Sequence, residues 1–262
     1  MDNYQTLAIS QDARGVVSLE LNLPDKRNAL SAQMISELTH FAETVVDRDG
    51  ARVVVMSGRG KVFCAGGDLG WMKQQIEADR ETRMVEARKL ALMLRALNEM
   101  PLPLIGRIHK GAFGGGVGIA CVCDVAIATN DAQFGLTETR LGLIPATIGP
   151  YVLARMGEGK ARRVFMSARL FDAHEAKDLD LVADVVDADA IDDRIAREIE
   201  PYLSTAPNAV AAAKRLARQL GPRIDDAVID HSIECLADTW DGEEARQGVE
   251  AFFAKAKAPW IR

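Results

Sequence analysis

The sequence contains no run approaching 18 apolar residues without a charge, so no segment reads as a membrane span. A basic excess is also missing. Thirty-two Lys and Arg stand against 38 Asp and Glu, a net charge of −6. That balance argues against nucleic acid or an anionic membrane as the main partner, a local basic patch aside. The opening MDNYQTLAIS has no basic start and no apolar stretch behind it, so no secretory signal is expected there. Cysteine is scarce: Cys64, Cys121, Cys123 and Cys235 match no zinc spacing, and no metal site is expected. They read as reduced, buried thiols of a cytoplasmic protein. Low-complexity stretches and short-period repeats are absent as well.

What is present is an ordinary globular composition, 48% hydrophobic and 27% charged over 262 residues, enough for one large domain or a domain with an appendage. Strands and helices alternate. GVVSLELNLP (15–24) alternates as a strand and stops at Pro24. A helix follows, with Ser31 as its N-cap, apolar Met34, Ile35, Leu38, Phe41 and Val45 at helical spacing, and Gly50 as its stop. ARVVVMSG (51–58) is a continuous apolar strand of the kind buried on both faces. A long helix is predicted over 80–100, ending at Pro101, with PLIGRIHK as the next strand. DVAIAT follows as a strand, then helices over 150–156 and 160–168, then a helix and short strand in DAHEAKDLDLV. From Pro207 onward the pattern is helical only, which places a boundary at 204–209 and divides the chain into 1–205 and 206–262. Amphipathic helices in that position serve either self-association or as a lid.

Two stretches look alike. After VVVMSG comes RGKVFCAGGDLGWM; after PLIGRI comes HKGAFGGGVGIA. Each is a strand, then small residues and glycines, then a helix, a weak echo of a β–β–α unit. Adjacent glycines leave amides uncovered, and a helix starting there adds unpaired N–H groups and the positive end of a dipole. Such a site suits an anion or developing negative charge. A dinucleotide fingerprint fails, because its third glycine should fall at Ile119 or Cys121; no Lys-Ser/Thr pair follows the glycines, so a P-loop fails too. Two readings remain: an oxyanion hole built from one amide of each loop, or glycines that merely permit tight helix–strand packing.

VFCAGGDL (62–69), GAFGGGVGIACVCDVAIA (111–128) and FGLTETRLGLIP (134–145) resemble, in order and spacing, the enoyl-CoA hydratase/isomerase (crotonase) superfamily. PDKRNALS (24–31) and the tail GEEARQGVEAFFAKAKAPW (242–260) extend the likeness over essentially the whole chain. FCAGGDLGWM and GLIPATIGPYVLARMGEGKARR resemble bacterial methylglutaconyl-CoA hydratase-like members. The resemblance implies an α/β fold: a crotonase-like spiral of β–β–α units with a C-terminal helical oligomerisation domain that forms a homotrimer, or a hexamer as a dimer of trimers. It implies a coenzyme A thioester as substrate and no separate cofactor.

In the family's pattern the amides of Gly67 and Gly115 hold the thioester oxygen, and Glu138 of FGLTE is the second of two catalytic glutamates. The first should follow the glycine triplet, where this chain has Gly118. The two-carboxylate scheme therefore does not carry over. One carboxylate can add water across a 2-enoyl thioester, or move a proton between the α and γ carbons as a Δ3,Δ2-enoyl-CoA isomerase does; a non-catalytic acyl-CoA-binding protein is the reading from another class. As a bare residue, Glu138 reads first as a solvated glutamate or one ion-paired with Arg140; inside the matched motif the catalytic reading takes precedence. The resemblance further places Lys26, Arg27, Ala29, Ala65, Asp68, Leu69 and Trp71 about the substrate, with Lys26 and Arg27 near the CoA phosphates and Trp71 against the acyl group or in the core. Lys255 and Lys257 read as a solvated helix face, Asp124 as a brace of the core, and no histidine as catalytic.

Overall fold

The computed structural model describes residues 4–262; the first three residues of the stretch read above as lacking a signal lie outside the described residues. The chain opens with β1 (Leu7–Gln11), antiparallel to β2 (Val16–Leu21). Three successive turns of a spiral then follow one plan. A main strand leads to a short stub that crosses to a second layer, and a helix starts two or three residues later. After β2 the stub is Leu30, and α1 (Ala32–Thr44) begins with Ser31 accepting from Met34 N–H at 3.2 Å. After β3 (Val53–Gly58) the stub runs from Cys64 to Gly67, leading to α2 (Leu69–Glu77) and α3 (Arg80–Glu99). After β4 (Leu104–Ile108) the stub is β5 (Gly111–Phe113), followed by α4 (Gly115–Val122).

β6 (Val125–Thr129) and β7 (Gln133–Gly135) repeat the plan, but a single 3-10 turn, Glu138–Leu141, stands where the helix should be. Next come α5 (Gly149–Phe165), broken at Gly157 (φ 71°, ψ 155°), β8 (Leu170–Asp172), α6 (Ala173–Asp178), β9 (Asp184–Val186) and α7 (Ile191–Leu203). The break at Gly157 gives the two helices expected there. The chain ends in α8 (Pro207–Leu220), α9 (Asp226–Trp240) and α10 (Glu243–Phe253).

The main sheet has the order β1-β2-β3-β4-β6-β9, parallel from β2 onward; the second is β5-β7-β8. Both faces of the main sheet are covered, which is why its strands read as unbroken apolar runs. Val54, Met56 and Leu104 enter the large core on one side; Val53, Ile105 and Ile127 pack on the other against Ile191, Ile195 and Ile199 of α7. Sequence patterning did not bring out β1, β5, β7, β8 or α7. β5, β7 and β8 are only three residues long each and show no period of their own. Among the described residues no helix is long and apolar enough to cross a membrane.

Candidate active site

The spiral brings the two glycine loops side by side. Cys64 N–H donates to Gly111 O at 3.2 Å and Phe113 N–H donates to Cys64 O at 3.1 Å, a parallel bridge pairing Cys64 with Ala112. Past that bridge the loops stay in contact, with Gly66 against Phe113 and Gly114. The approach is close enough to forbid side chains. A Cβ on Gly66 (φ +93°) would stand 2.8 Å from Phe113 O, and one on Gly116 2.7 Å from Cys64 O. Leu30 closes the other edge of the first loop: its N–H donates to Gly66 O at 2.7 Å and its carbonyl accepts from Asp68 N–H at 3.1 Å.

Between these bonds, neither the Gly67 nor the Gly115 N–H donates to any protein acceptor among the described residues. Gly115 is the first residue of α4, whose eight residues are all buried. Its amide therefore adds the positive end of a helix to an enclosed site. At the other end of α4 the Arg155 guanidinium donates to the carbonyls of Cys121 and Cys123.

Gly67 and Gly115 open onto a cavity of about 430 Å³. Glu138 lies on the same wall, at the start of the 3-10 turn. A Cβ on Gly114 (φ +48°) would stand 3.1 Å from its Oε1, so only glycine leaves the carboxyl its place. The Glu138 side chain is half-buried, its Oε2 is enclosed without a hydrogen-bond partner among the described residues, and it makes no ion pair with Arg140. Burial pushes its pKa up to about 7. A carboxyl half protonated at neutral pH, unpartnered and facing a cavity is poised to take and return a proton.

Ala65, Leu69 and Trp71 line the cavity as expected; the Trp71 indole N–H points to Glu86 Oε2 at 3.4 Å. Lys26, Arg27, Ala29 and Asp68 lie off its wall. Asp68 instead caps α2, accepting from Trp71 N–H at 3.0 Å, and its other oxygen is 3.7 Å from Lys26 Nζ. Ala29 is buried in the loop beneath, while Lys26 and Arg27 are exposed. Lys255 and Lys257 follow α10 rather than riding on it, and are exposed. Asp124 braces the core: it accepts from Leu104 N–H at 2.8 Å and pairs with Lys214 at 2.7 Å. The thiols of Cys64, Cys121 and Cys123 are held neutral by burial, each pushed up to about 12. His109 sits outside the cavity wall, its Nε2 3.0 Å from Gly60 O, and Cys235 lies 3.8 Å from His231 on α9.

Further contributors escaped the sequence reading. Leu236 and Trp240 of α9 and Phe252 of α10 complete the cavity, so the terminal helices cover the site within one chain. Asn28, buried at φ +53°, holds the first loop together: Leu23 N–H donates to its Oδ1 at 2.9 Å, and its amide donates to the carbonyls of Arg59, Val62 and Phe63. Its signal was present, an Asn inside PDKRNALS where a left-handed turn residue is needed.

Residues 11–262 match the family model described as enoyl-CoA hydratase/isomerase. A putative enoyl-CoA hydratase/isomerase of Bacillus subtilis is 34% identical over 92% of both chains. The mitochondrial methylglutaconyl-CoA hydratase of Mus musculus is 29% identical over 98% of this chain and 82% of its own. The crystal structure of an enoyl-CoA hydratase from Shewanella pealeana superposes with a TM-score of 0.80 at 36% identity, covering 98% of this chain and 97% of that one. With its crotonase fold, its paired glycine loops and its enclosed carboxyl, the chain is an enzyme of the enoyl-CoA hydratase/isomerase family.

Proposed function

We propose that this enzyme adds water across the 2,3 double bond of a short or branched 2-enoyl-CoA thioester, with Glu138 as its single acid and base. The observation that carries the reading is the meeting, on one cavity wall, of an unpartnered carboxyl and two undonated amides. The thioester oxygen accepts from Gly67 and Gly115 N–H. Ionised Glu138 takes a proton from water as the water oxygen bonds to C3. The electrons of the C2=C3 bond move into the thioester as an enolate, whose charge the two amides hold. Removing one such donor typically costs roughly 3–4 kcal/mol of barrier. Glu138 then returns its proton to C2, and the site is restored. Coenzyme A belongs to the substrate, its phosphates near Lys26 and Arg27; no further cofactor enters this scheme.

A second reading is favoured by one observation. The space at Gly118, where a second carboxylate would stand, is filled by hydrocarbon from Ile148. A single carboxyl in a dry wall also suits a Δ3,Δ2 isomerisation, in which Glu138 carries a proton from C2 to C4. Incubation with crotonyl-CoA and with a 3-enoyl-CoA separates the two. Hydration bleaches the conjugated thioester absorbance of the first; isomerisation creates that absorbance from the second. No turnover of either thioester overturns the assignment.

The chain is further proposed to divide into a spiral core (1–205) and a helical region (206–262), and to assemble as a homotrimer or a pair of trimers. Leu216, Leu220, Phe253, Trp260 and Ile261 stay exposed on the isolated chain, an apolar surface that association would cover. Sedimentation equilibrium measures the state directly.

A further inference from the structure

Gly118 raises a question the reaction alone does not answer: what occupies the place of the missing side chain. A Cβ there would stand 2.6 Å from Ile148 Cγ2, 3.1 Å from Ile148 Cβ and 3.2 Å from Leu94 Cδ1. The two nearest of these atoms are not the loose end of a flexible chain. Ile148 is β-branched and stiff about its first torsion. Its carbonyl accepts from Tyr151 and Val152 N–H at 3.1 and 3.0 Å, which pins its backbone at the start of α5. The residue is 1% exposed and lines the same cavity as Glu138 and the two amides. Gly115 and Gly118 are three residues apart on α4, roughly 4.5 Å along its axis. Ile148, which fills the space at 118, thus stands on the wall of the cavity into which an acyl chain held at Gly115 would extend.

Building on the functional reading above, we propose that Ile148 determines which substituents at C3 of the acyl group the enzyme accepts, and that Gly118 is the positioning residue that sets where Ile148 stands. The pair acts as one unit. A methyl at 118 drives the Ile148 side chain into the cavity and narrows it beside C3. Shortening Ile148 widens it at the same point.

The test is the ratio of kcat/KM for 3-methylcrotonyl-CoA to that for crotonyl-CoA, two thioesters that differ by one methyl at C3. One methyl in a fitted pocket changes such ratios about tenfold or more. Ile148→Ala is expected to raise the ratio about tenfold, Ile148→Val to raise it less, and Gly118→Ala to lower it about tenfold. The double variant Gly118→Ala/Ile148→Ala is expected to return the ratio to within threefold of the parent. A merely structural defect would lower both substrates together and leave the ratio in place. Thermal unfolding confirms that each variant is folded; should Gly118→Ala not fold, the two Ile148 variants carry the test. Folded Ile148 variants that retain turnover with the parent's ratio overturn the proposal. A parent enzyme inert toward both 2-enoyl and 3-enoyl thioesters overturns the functional reading instead, a distinguishable result.

Discussion

At the scale of single residues the site turns on Glu138. Its carboxyl titrates near pH 7 because burial penalises the charged form and no cation repays it. The base must be ionised to accept a proton, so kcat/KM is expected to fall as pH drops below about 7. A pH–rate profile measures this. Glu138→Gln keeps the shape and removes the proton carrier; turnover is expected to fall at least about 100-fold, by the usual weight of a general acid–base group. The same substitution has an opposite effect on stability. A carboxyl with a raised native pKa stabilises the fold at low pH, and that contribution is lost as pH rises through about 7. At pH 8 the ionised carboxyl is therefore a net cost to the fold. Glu138→Gln should therefore unfold at higher denaturant than the parent at pH 8, with the gap closing toward pH 4.5; equal stability at pH 8 would contradict the burial argument. Glu138, Gly67 and Gly115 were named from the family's pattern, in which residue type and local spacing go together, and the structure brings them to one cavity. The role proposed for Ile148 was not legible: it depends on a missing side chain 30 positions away, and no local pattern records that.

At the scale of elements, the 3-10 turn that carries Glu138 is held from outside by α10. The two meet backbone to backbone. A Cβ on Gly248 would stand 2.6 Å from Leu141 C and O, and one on Gly142 (φ +70°) 2.5 Å from Glu244 C and O. Leu143, Ala245 and Val249 form a small apolar cluster at this contact. Gly248→Ala must lift α10 off the turn and move Phe252 from the cavity wall. Catalytic groups misplaced by about 1 Å lose about 100-fold. A fall of 10- to 100-fold in kcat/KM is expected, with the far-ultraviolet circular dichroism of the parent retained; unchanged kcat/KM would show that α10 does not position Glu138. The sequence reading saw α10 as an amphipathic helix and left open whether it covers the site or a neighbour. Periodicity reports which face of a helix is apolar, not what that face meets. The stubs β5, β7 and β8 were hidden for another reason: three residues are too few to show alternation. In α7 the signal existed, in Ile191, Ile195 and Ile199 at four-residue spacing.

At the scale of the whole molecule, the spiral needs a fastening between its core and the helices that follow. Asp124 and Lys214 supply one. Lys214 reaches from α8 to the junction between α4 and β6, where its ammonium donates to Asp124 Oδ2 at 2.7 Å and to Leu102 O at 3.0 Å. The Lys214 side chain is 9% exposed and Asp124 22%, so neither partner is well hydrated. Burial holds the lysine below its usual range, and the aspartate pulls it back. Such a pair is weak evidence for stability as a unit, because desolvation offsets the attraction, and the Arg218 guanidinium also lies 3.9 Å from the other oxygen of Asp124. Lys214→Met leaves Asp124 with that weaker partner and is expected to cost about 1.5–3 kcal/mol in denaturant unfolding. Adding Asp124→Asn should recover part of that loss, since Asn keeps an acceptor for Leu104 N–H while removing the under-paired charge. If the double variant is less stable than Lys214→Met alone, Asp124 serves the fold through its contact with β4 rather than through α8, and the fastening lies elsewhere.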